Sequence, residues 1–364
     1  MKELTLDHLE NLAIGSAILG SGGGGDPTYF YMMARYEMER HGPVSLIGIN
    51  DLNNDDLVLP VGFMGAPVAE TEKIPSGREF FDVVNTLEKI LEKKIDVVMP
   101  FEIGGMNAFI PVIVAAQNRI PLLDADLMGR AFPEGQMTVC NLAGVNPSPG
   151  VVADSLGNTV IIHANDSHTL EKFGRQVTIA MGSIGAFGYY PFLGLQAETF
   201  TISKSISKAI AIGKLHREAQ KKEESPLDAI LKLCKGVHLG SGKVVDIDRV
   251  ISKGFVYGKI VIEHQKDMIE IVFQNEFLIA KLNEQIVATT PDILVLFEQE
   301  TAVPIMCESL QYGIKVNLVA LPAPEIWTTP AGLALVGPRH FGYNVDYQSV
   351  EKGKIEESYE KINH

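Results

Sequence analysis

Cysteine is scarce in this chain of 364 residues: its three cysteines are far apart and form no CxxC pair. They are Cys140, Cys234 and Cys307. This number and spacing indicate neither a disulfide framework nor a thiolate metal site, so we expect a reduced, cytoplasmic protein. Long apolar runs are also missing, since no stretch reaches the ~18 uncharged apolar residues of a membrane helix. Acidic residues interrupt the N-terminal segment where a signal peptide would have its apolar core, so we expect no export either.

Positive charge is also scarce. The chain has 31 Lys and Arg residues and 45 Asp and Glu residues, which gives a formal net charge of −14. A phosphate backbone is bound by a cationic surface, so we expect no nucleic-acid partner. The composition is otherwise that of a soluble globular protein, with 46% hydrophobic and 21% charged residues. At ~150 residues per domain, the length corresponds to about two domains.

The first half of the chain alternates between strand and helix patterns. Apolar residues recur at helical spacing in 6–19 and 77–93, whereas 95–101 is continuously apolar, as in a buried strand. This order predicts an α/β fold, in which an N-terminal parallel or mixed sheet is flanked by helices and 95–101 is a central strand.

The second half begins with different patterns. We expect 136–164 to form strands joined by a hairpin, and Asp166 to cap the next helix. Short β-rich runs then predict a small antiparallel β module at about 236–290 within the C-terminal part. We therefore divide the chain into an N-terminal domain, 1–166, and a C-terminal domain, 167–364.

Two segments of the chain resemble each other. DVVMPFE at 96–102 and DILVLFE at 292–298 each precede another apolar run roughly 15 to 20 residues later, which is the spacing of a βαβ unit. Either the unit is duplicated, or two buried strands simply look alike.

A run of four glycines, Gly22, Gly23, Gly24 and Gly25, follows the first predicted helix. Its backbone N–H groups could bind an anion or a carbonyl at the start of the next helix. The run lacks the Lys-Ser/Thr of a phosphate-binding loop and does not follow a strand, so it is not a nucleotide fingerprint. The alternative is a tight turn that needs positive φ angles. A second glycine-containing loop, 62–72, contains Glu70 and Glu72. It is either a loop that closely approaches a ligand or a surface turn whose acidic side chains are solvated.

Carboxylates follow two of the predicted strands. Glu102 comes directly after 95–101 with Asn107 nearby, and Asp124 and Asp126 end the next strand, followed by Arg130. Glu102, Asp124 and Asp126 are our candidate general acids or bases and the candidate ligands of a possible divalent metal. Asn107, Arg130 and the four glycines are candidate substrate-binding groups, and we expect them around one pocket at the carboxyl strand ends. The alternatives are Glu102 as a helix cap and Arg130 as an ion-pair partner of the two aspartates.

Two residues of the last hundred complete the predicted site. His340 lies in GPRHFGY as a further candidate catalytic residue, and Trp327 in PAPEIWTTPAG as a cleft-lining or core residue. The histidines show no HxH or HExxH spacing, so a zinc site would need distant segments.

Four blocks of the sequence carry a resemblance that spans nearly the whole chain. They are LGSGGGGDP, GFMGAPVAETEK, PFEIGGMNAFIPVIVAAQNRIPLLDADLMGRAFPEGQM and EIWTTPAGLALVGPRHFGYNVDY. Together they are similar to the family first catalogued as domain of unknown function 917, now named for S-methyl-thiohydantoin desulfurase and associated with hydantoinase/oxoprolinase-type proteins.

The resemblance implies a small cyclic amide substrate of hydantoin type. Desulfurisation would be a hydrolysis, in which water adds to the carbon bearing the methylthio group and methanethiol leaves without a redox cofactor. The alternative is a non-catalytic subunit that binds a hydantoinase-type enzyme. A homo-oligomer is compatible with either hypothesis.

Overall fold

The computed structural model of the chain describes residues 2–65, 73 and 75–350, and its N-terminal part is built on one mixed sheet. Its first eleven strands, in chain order, are β1 (Glu3–Leu4), β2 (Val44–Ile47), β3 (Leu57–Gly65), β4 (Val97–Pro100), β5 (Leu122–Leu123), β6 (Ala125–Asp126), β7 (Gly150–Ala153), β8 (Thr159–Ile162), β9 (Ile184–Gly188), β10 (Phe192–Leu193) and β11 (Ile202–Ser203). The sheet order is β1-β2-β5-β4-β3-β9-β7-β8, with β10 also paired to β3, whereas β6 and β11 pair with each other as a separate two-stranded ribbon. Strands β2, β5, β4 and β3 are parallel, and the other pairs are antiparallel.

Helices cover both faces of this sheet. In chain order they are α1 (Leu6–Leu19), α2 (Thr28–His41), α3 (Arg78–Leu91), α4 (Ile110–Asn118), α5 (Val139–Leu142), α6 (Ser167–Ala180), α7 (Ala197–Phe200), α8 (Ser205–Lys221), α9 (Pro226–Cys234) and α10 (Pro330–Val336). On one face α3 and α4 pack against β3, β4, β7 and β9, whereas α6 packs on the other. The predicted α/β class is therefore confirmed.

Strand β4 lies in the middle of the sheet because it has apolar side chains for both faces. Val97 and Met99 pack into the core under α6, and Val98 packs into the core under α3 and α4. All three are nearly inaccessible to solvent. The prediction of a central strand at 95–101 is correct for this reason.

The C-terminal part contains a second sheet of eight antiparallel strands. In chain order they are β12 (Val237–Ser252), β13 (Phe255–His264), β14 (Asp267–Gln274), β15 (Glu276–Leu282), β16 (Gln285–Thr289), β17 (Ile293–Glu298), β18 (Pro304–Ile305) and β19 (Lys315–Leu321). Their order is β16-β15-β14-β13-β12-β19-β17-β18. The expected module at 236–290 is thus the first five strands of a larger sheet.

The structure decides one open alternative and corrects one expectation. The segment 292–298 does not begin a βαβ unit, because β17 pairs antiparallel with β19 and their connection carries β18 instead of a crossover helix. The segment at 136–144 contains α5 instead of a strand, since the Thr138 hydroxyl accepts a hydrogen bond from the N–H of Asn141 and caps a helical turn. Local capping overrides the β-branched pattern there.

The two sheets meet at the glycine-rich loop that follows α1. The carbonyl of Ser21 accepts a hydrogen bond from the N–H of Phe277, and the carbonyl of Gly22 accepts one from Cys307. On the other side, the carbonyl of Gly24 accepts the N–H of Met106. The loop therefore joins the C-terminal sheet to the segment that follows β4.

In the part of the chain that the structure describes, the helices all fall short of the length and apolar character that crossing a membrane requires.

Close packing explains why glycine is needed at this junction, and Gly22→Ala tests it. A Cβ at Gly22 would lie 2.3 Å from the ring of Phe277, and the φ angle is +79°. Gly144 has a similar φ of +71°, but a Cβ there would have nothing within 4 Å, so Gly144→Ala measures the backbone strain alone. We expect Gly22→Ala to lower the unfolding free energy, measured by urea titration, by about 2 kcal/mol more than Gly144→Ala does. This difference is the usual cost of overpacking. Equal losses would contradict this account.

Candidate functional site

A cavity lies where the carboxyl end of β4, the glycine-rich loop and the start of β15 meet. Its volume is about 60 Å³, room for a few water molecules or the reacting end of a small ring. Its wall contains carboxylates, amides and one arginine among apolar side chains. The lining residues are Gly24, Gly25, Phe63, Met64, Gly65, Phe101, Glu102, Met106, Asn107, Met128, Phe132, Pro133, Gly135, Arg175, Phe187, Asn275 and Glu276.

Glu102 is held in the cavity wall by two hydrogen-bond donors. Its Oε1 accepts from Asn107 Nδ2 at 2.6 Å, and its Oε2 accepts from the N–H of Phe132 at 3.2 Å. Asn107 is itself oriented by β3, because its Oδ1 accepts the N–H of Phe63 at 2.6 Å. Burial and the neighbouring Glu276 raise the pKa of Glu102 well above its usual value.

Glu276, the first residue of β15, brings a second carboxylate to the same cavity. Its Oε1 accepts from the N–H of Gly24 at 3.0 Å. Its Oε2 is buried and has no hydrogen-bond partner among the described residues. A Cβ at Gly23 would lie 2.2 Å from Oε1, so the glycine run is what lets this carboxylate reach the loop. Burial raises the pKa of Glu276 to about 8.

The raised pKa of Glu276 predicts a stability that falls as the pH rises from about 4.5 to about 8. Its folded pKa of about 8 exceeds the ordinary 4.5, so between these values the folded chain binds more protons than the unfolded chain. The contribution is complete below pH 4.5 and is lost as the pH rises through about 8. Melting temperatures measured from pH 5 to 9 should therefore decline less for Glu276→Gln than for the wild type. Parallel curves would contradict the prediction.

Arg175 of α6 is the cation in the cavity wall. Its Nε donates to Glu171 Oε1 at 2.5 Å, and its other nitrogens donate to the carbonyls of Gly254 and Pro133. Glu171 also accepts the N–H of Gly135 at 3.1 Å. This buried pair thus fixes the Pro133–Gly135 wall segment.

Arg130 lies under the cavity instead of in its wall, and it is completely buried. It does not pair with the two aspartates, which was the alternative to a substrate-binding role. Its guanidinium donates to the carbonyls of Ala131, Pro291 and Asp292, and its charge is balanced by Glu276, Asp292 and Glu102. Burial lowers the pKa of Arg130 to about 10.

Asp126 is buried away from the cavity wall and organises the loops beneath it. Its Oδ2 accepts the backbone N–H groups of Ile103, Met128 and Gly129 at 2.9, 3.3 and 2.7 Å. This carboxylate therefore ties the segment after β4 to the segment after β6. Burial raises its pKa to about 7.

Asp124 faces a different element from Asp126. Its two oxygens accept the N–H and the hydroxyl of Ser207, each at about the length of a strong hydrogen bond, 2.9 and 2.5 Å. The pair of aspartates therefore holds two separate segments, and Asp124 secures the first turn of α8.

Replacing Asp124 by alanine should lower stability and leave the cavity unchanged. Loss of the contacts with Ser207 resembles the loss of a helix cap, so we expect a decrease of about 1 kcal/mol in unfolding free energy. Urea titration and turnover of the same preparation measure both effects. A loss of turnover without a loss of stability would show instead that Asp124 acts in catalysis.

The two late candidates also lie outside the cavity wall. Trp327 is completely buried, donates from Nε1 to the carbonyl of Met128 at 2.7 Å, and packs edge-on against Phe132. It therefore supports two wall residues from behind. His340 Nε2 lies 3.4 Å from Oε2 of Glu134, a contact that lowers the pKa of Glu134 despite its burial.

The structure thus brings together Glu102, Asn107, Gly24 and Gly25, and leaves the other candidates outside the wall. Gly22 and Gly23 serve the junction between the sheets. In the described ranges, no three His, Cys, Asp or Glu side chains are arranged to hold a metal ion, so the suggested set of Glu102, Asp124 and Asp126 does not converge. Ala66, Pro67, Glu70 and Glu72 of the 62–72 loop lie outside the described residues.

Sequence reasoning missed Glu276, Asn275 and Arg175. The first two belong to the polar run Gln274, Asn275 and Glu276, which interrupts an otherwise apolar pair of strands between Phe273 and Phe277. Such an interruption could have indicated a polar site from the sequence alone. Arg175 gave none, because an arginine on a helix usually faces solvent.

Comparisons with known proteins place the chain in one family. The model of the S-Me-THD-like N-terminal domain matches residues 7–164, and that of the S-Me-THD-like C-terminal domain matches residues 164–350. The crystal structure of a protein from Chromobacterium violaceum superposes with a TM-score of 0.81 at 23% identity, covering 96% of this chain and 100% of that one. At that identity the likeness shows the fold alone. The comparison with curated proteins gave no match.

Proposed function

The chain belongs to the S-Me-THD-like family, and from this premise we propose that it hydrolyses the C–S bond of a small S-methyl-thiohydantoin-like ring in the cavity between its two sheets. The observation that carries the proposal is the meeting of two buried carboxylates, Glu102 and Glu276, in one wall. Neighbouring carboxyl groups in a buried site do not both ionise readily, so such a pair supplies an acid and a base together.

The hydrogen bonds distinguish the two roles. Both oxygens of Glu102 accept hydrogen bonds, which favours its ionised form. Oε2 of Glu276 has no partner among the described residues and can carry the proton of the neutral acid. Burial raises the pKa of both carboxyl groups, so the pair holds one proton between them, and the hydrogen bonds leave the negative charge on Glu102. Glu102 is then the general base and Glu276 the general acid.

The proposed reaction consumes one water molecule. Its oxygen bonds to the ring carbon that bears the methylthio group while Glu102 accepts a proton. The C–S bond then breaks, and the sulfur leaves with the proton of Glu276 as methanethiol. The C=N double bond to which the water added becomes a C–N single bond: the second proton of the water passes from the oxygen to the ring nitrogen, and the ring carbon becomes the carbonyl of a hydantoin. Proton return from Glu102 to Glu276 restores the starting state.

The test is release of thiol by the purified protein. Incubation with S-methyl-thiohydantoin should give equal amounts of methanethiol, measured with a thiol reagent, and hydantoin, measured by chromatography. The assay is run with a chelator and with added divalent metal. No release in either condition, together with co-purification of a hydantoinase-type protein, would support the non-catalytic alternative instead.

A further inference from the structure

Two glutamates make the cavity wall rich in hydrogen-bond acceptors. The carboxylates of Glu102 and Glu276 both line it, and only 2% of Glu276 is exposed. Oε2 of Glu276 is buried without a hydrogen-bond partner in the described part of the chain. Burying such an oxygen is costly unless a ligand donates to it.

Several donors at the cavity are already directed at protein oxygens. Each nitrogen of Arg175 donates to Glu171, Gly254 or Pro133. The N–H groups of Gly24 and Phe132 donate to the two glutamates. An anionic ligand would therefore meet two carboxylates and an arginine that is already neutralised by Glu171.

We propose that the cavity binds the N–C–N end of an S-alkyl isothiourea as a planar cation, with an N–H directed at Oε2 of Glu276. This inference rests on the proposed function and specifies the charge of the substrate at that site. A neutral substrate takes the proton of Glu276 onto a ring nitrogen as it binds, and the same proton returns through Oε2 to the leaving sulfur, so Glu276 remains the general acid. A probe that is already a cation displaces that proton into solution. An S-methyl-thiohydantoin contains this group, since its methylthio carbon lies between two ring nitrogens. A cation there also favours the attack of water on that carbon.

The apolar side of the wall matches the alkylthio group. Phe101 and Phe187 meet edge to face with ring centroids 4.9 Å apart, and Met64, Met106 and Met128 complete this side. Aromatic rings and thioethers are favourable neighbours of a divalent sulfur. The wall therefore offers acceptors for the nitrogen end of the group and apolar contacts for its sulfur end.

The test uses the S-methylisothiouronium cation as a probe and follows protons. Binding of a cation should ionise the glutamate pair and release about one proton near pH 7. Calorimetry in two buffers of different ionisation enthalpy measures this release. We expect it in the wild type and in Glu308→Gln, because Glu308 is a buried carboxyl with a raised pKa that does not line the cavity. We expect Glu276→Gln to lose it.

Two control ligands complete the design. Acetate is anionic, and methyl thioacetate has the methylthio group without an N–H. Neither should displace the probe. Displacement by acetate, absence of probe binding, or unchanged proton release in Glu276→Gln would overturn the inference.

The outcome is separable from that of the proposed function. If the protein releases methanethiol from S-methyl-thiohydantoin but does not bind the probe, the cation inference fails and the hydrolase proposal stands. If the probe binds with proton release but no substrate is hydrolysed, the hydrolase proposal fails and the inference about the ligand stands.

Discussion

Glu276→Gln is expected to lower methanethiol release from S-methyl-thiohydantoin by at least about 100-fold, the usual loss when a general acid is removed. Glutamine keeps the size of the side chain and can still accept the N–H of Gly24 at its carbonyl oxygen. It cannot deliver a proton to the leaving sulfur. Initial rates across a range of pH, with circular dichroism to verify folding, measure the effect.

Glu308→Gln is the matched control for this substitution. Glu308 also has a carboxyl oxygen that lacks a partner among the described residues, and burial raises its pKa to about 7. It does not line the cavity. Turnover within a few-fold of the wild type is expected for this control. A similar rate in both variants would mean that Glu276 is not the acid.

The strands and helices of the first sheet were predictable because their patterns are local. Phe80, Val84 and Leu87 repeat at helical spacing and are buried in α3, and the apolar run around Val97 is β4. The connection between β17 and β19 was not predictable in this way. Two apolar strands separated by the same length can pair parallel or antiparallel, and only the intervening segment decides.

Only the part of the candidate site that follows β4 was predictable from the sequence. Glu102 and Asn107 follow a parallel strand, where the rule about carboxyl strand ends applies. Glu276 comes from an antiparallel sheet more than 170 residues later in the chain, and no local pattern pairs it with Glu102. What connects them is the glycine-rich loop, whose close contacts on both sides depend on tertiary packing.

Asp124 and Asp126 show why neighbouring acids do not by themselves indicate a site. Both residues lie close along the chain to residues that line the cavity, but Asp124 binds Ser207 and Asp126 binds three backbone N–H groups. Carboxylates suit both a functional site and a structural contact, since they accept several hydrogen bonds at once. The choice between them depends on what folds against each oxygen.

Arg130→Met should be the most destabilising of the substitutions considered, at about 3–5 kcal/mol, as when one partner of a buried charge cluster is removed. Methionine fills much of the same space. It leaves the carbonyls of Ala131, Pro291 and Asp292 without their donor and the buried acidic side chains around Arg130 without a positive charge. Urea titration near pH 7 measures the loss.

A control and a double variant separate the causes of this loss. Arg249 is exposed and also donates to backbone carbonyls, including that of Leu310 at 2.7 Å, so Arg249→Met should cost less than about 1 kcal/mol. At about pH 9, above the pKa of about 8 at which Glu276 loses its proton, Arg130→Met should cost less in the Glu276→Gln background than in the wild type, because one charge that the guanidinium balances is gone. Strict additivity would show that Arg130 acts through its carbonyl contacts alone, and that its charge does not stabilise the glutamate in the cavity.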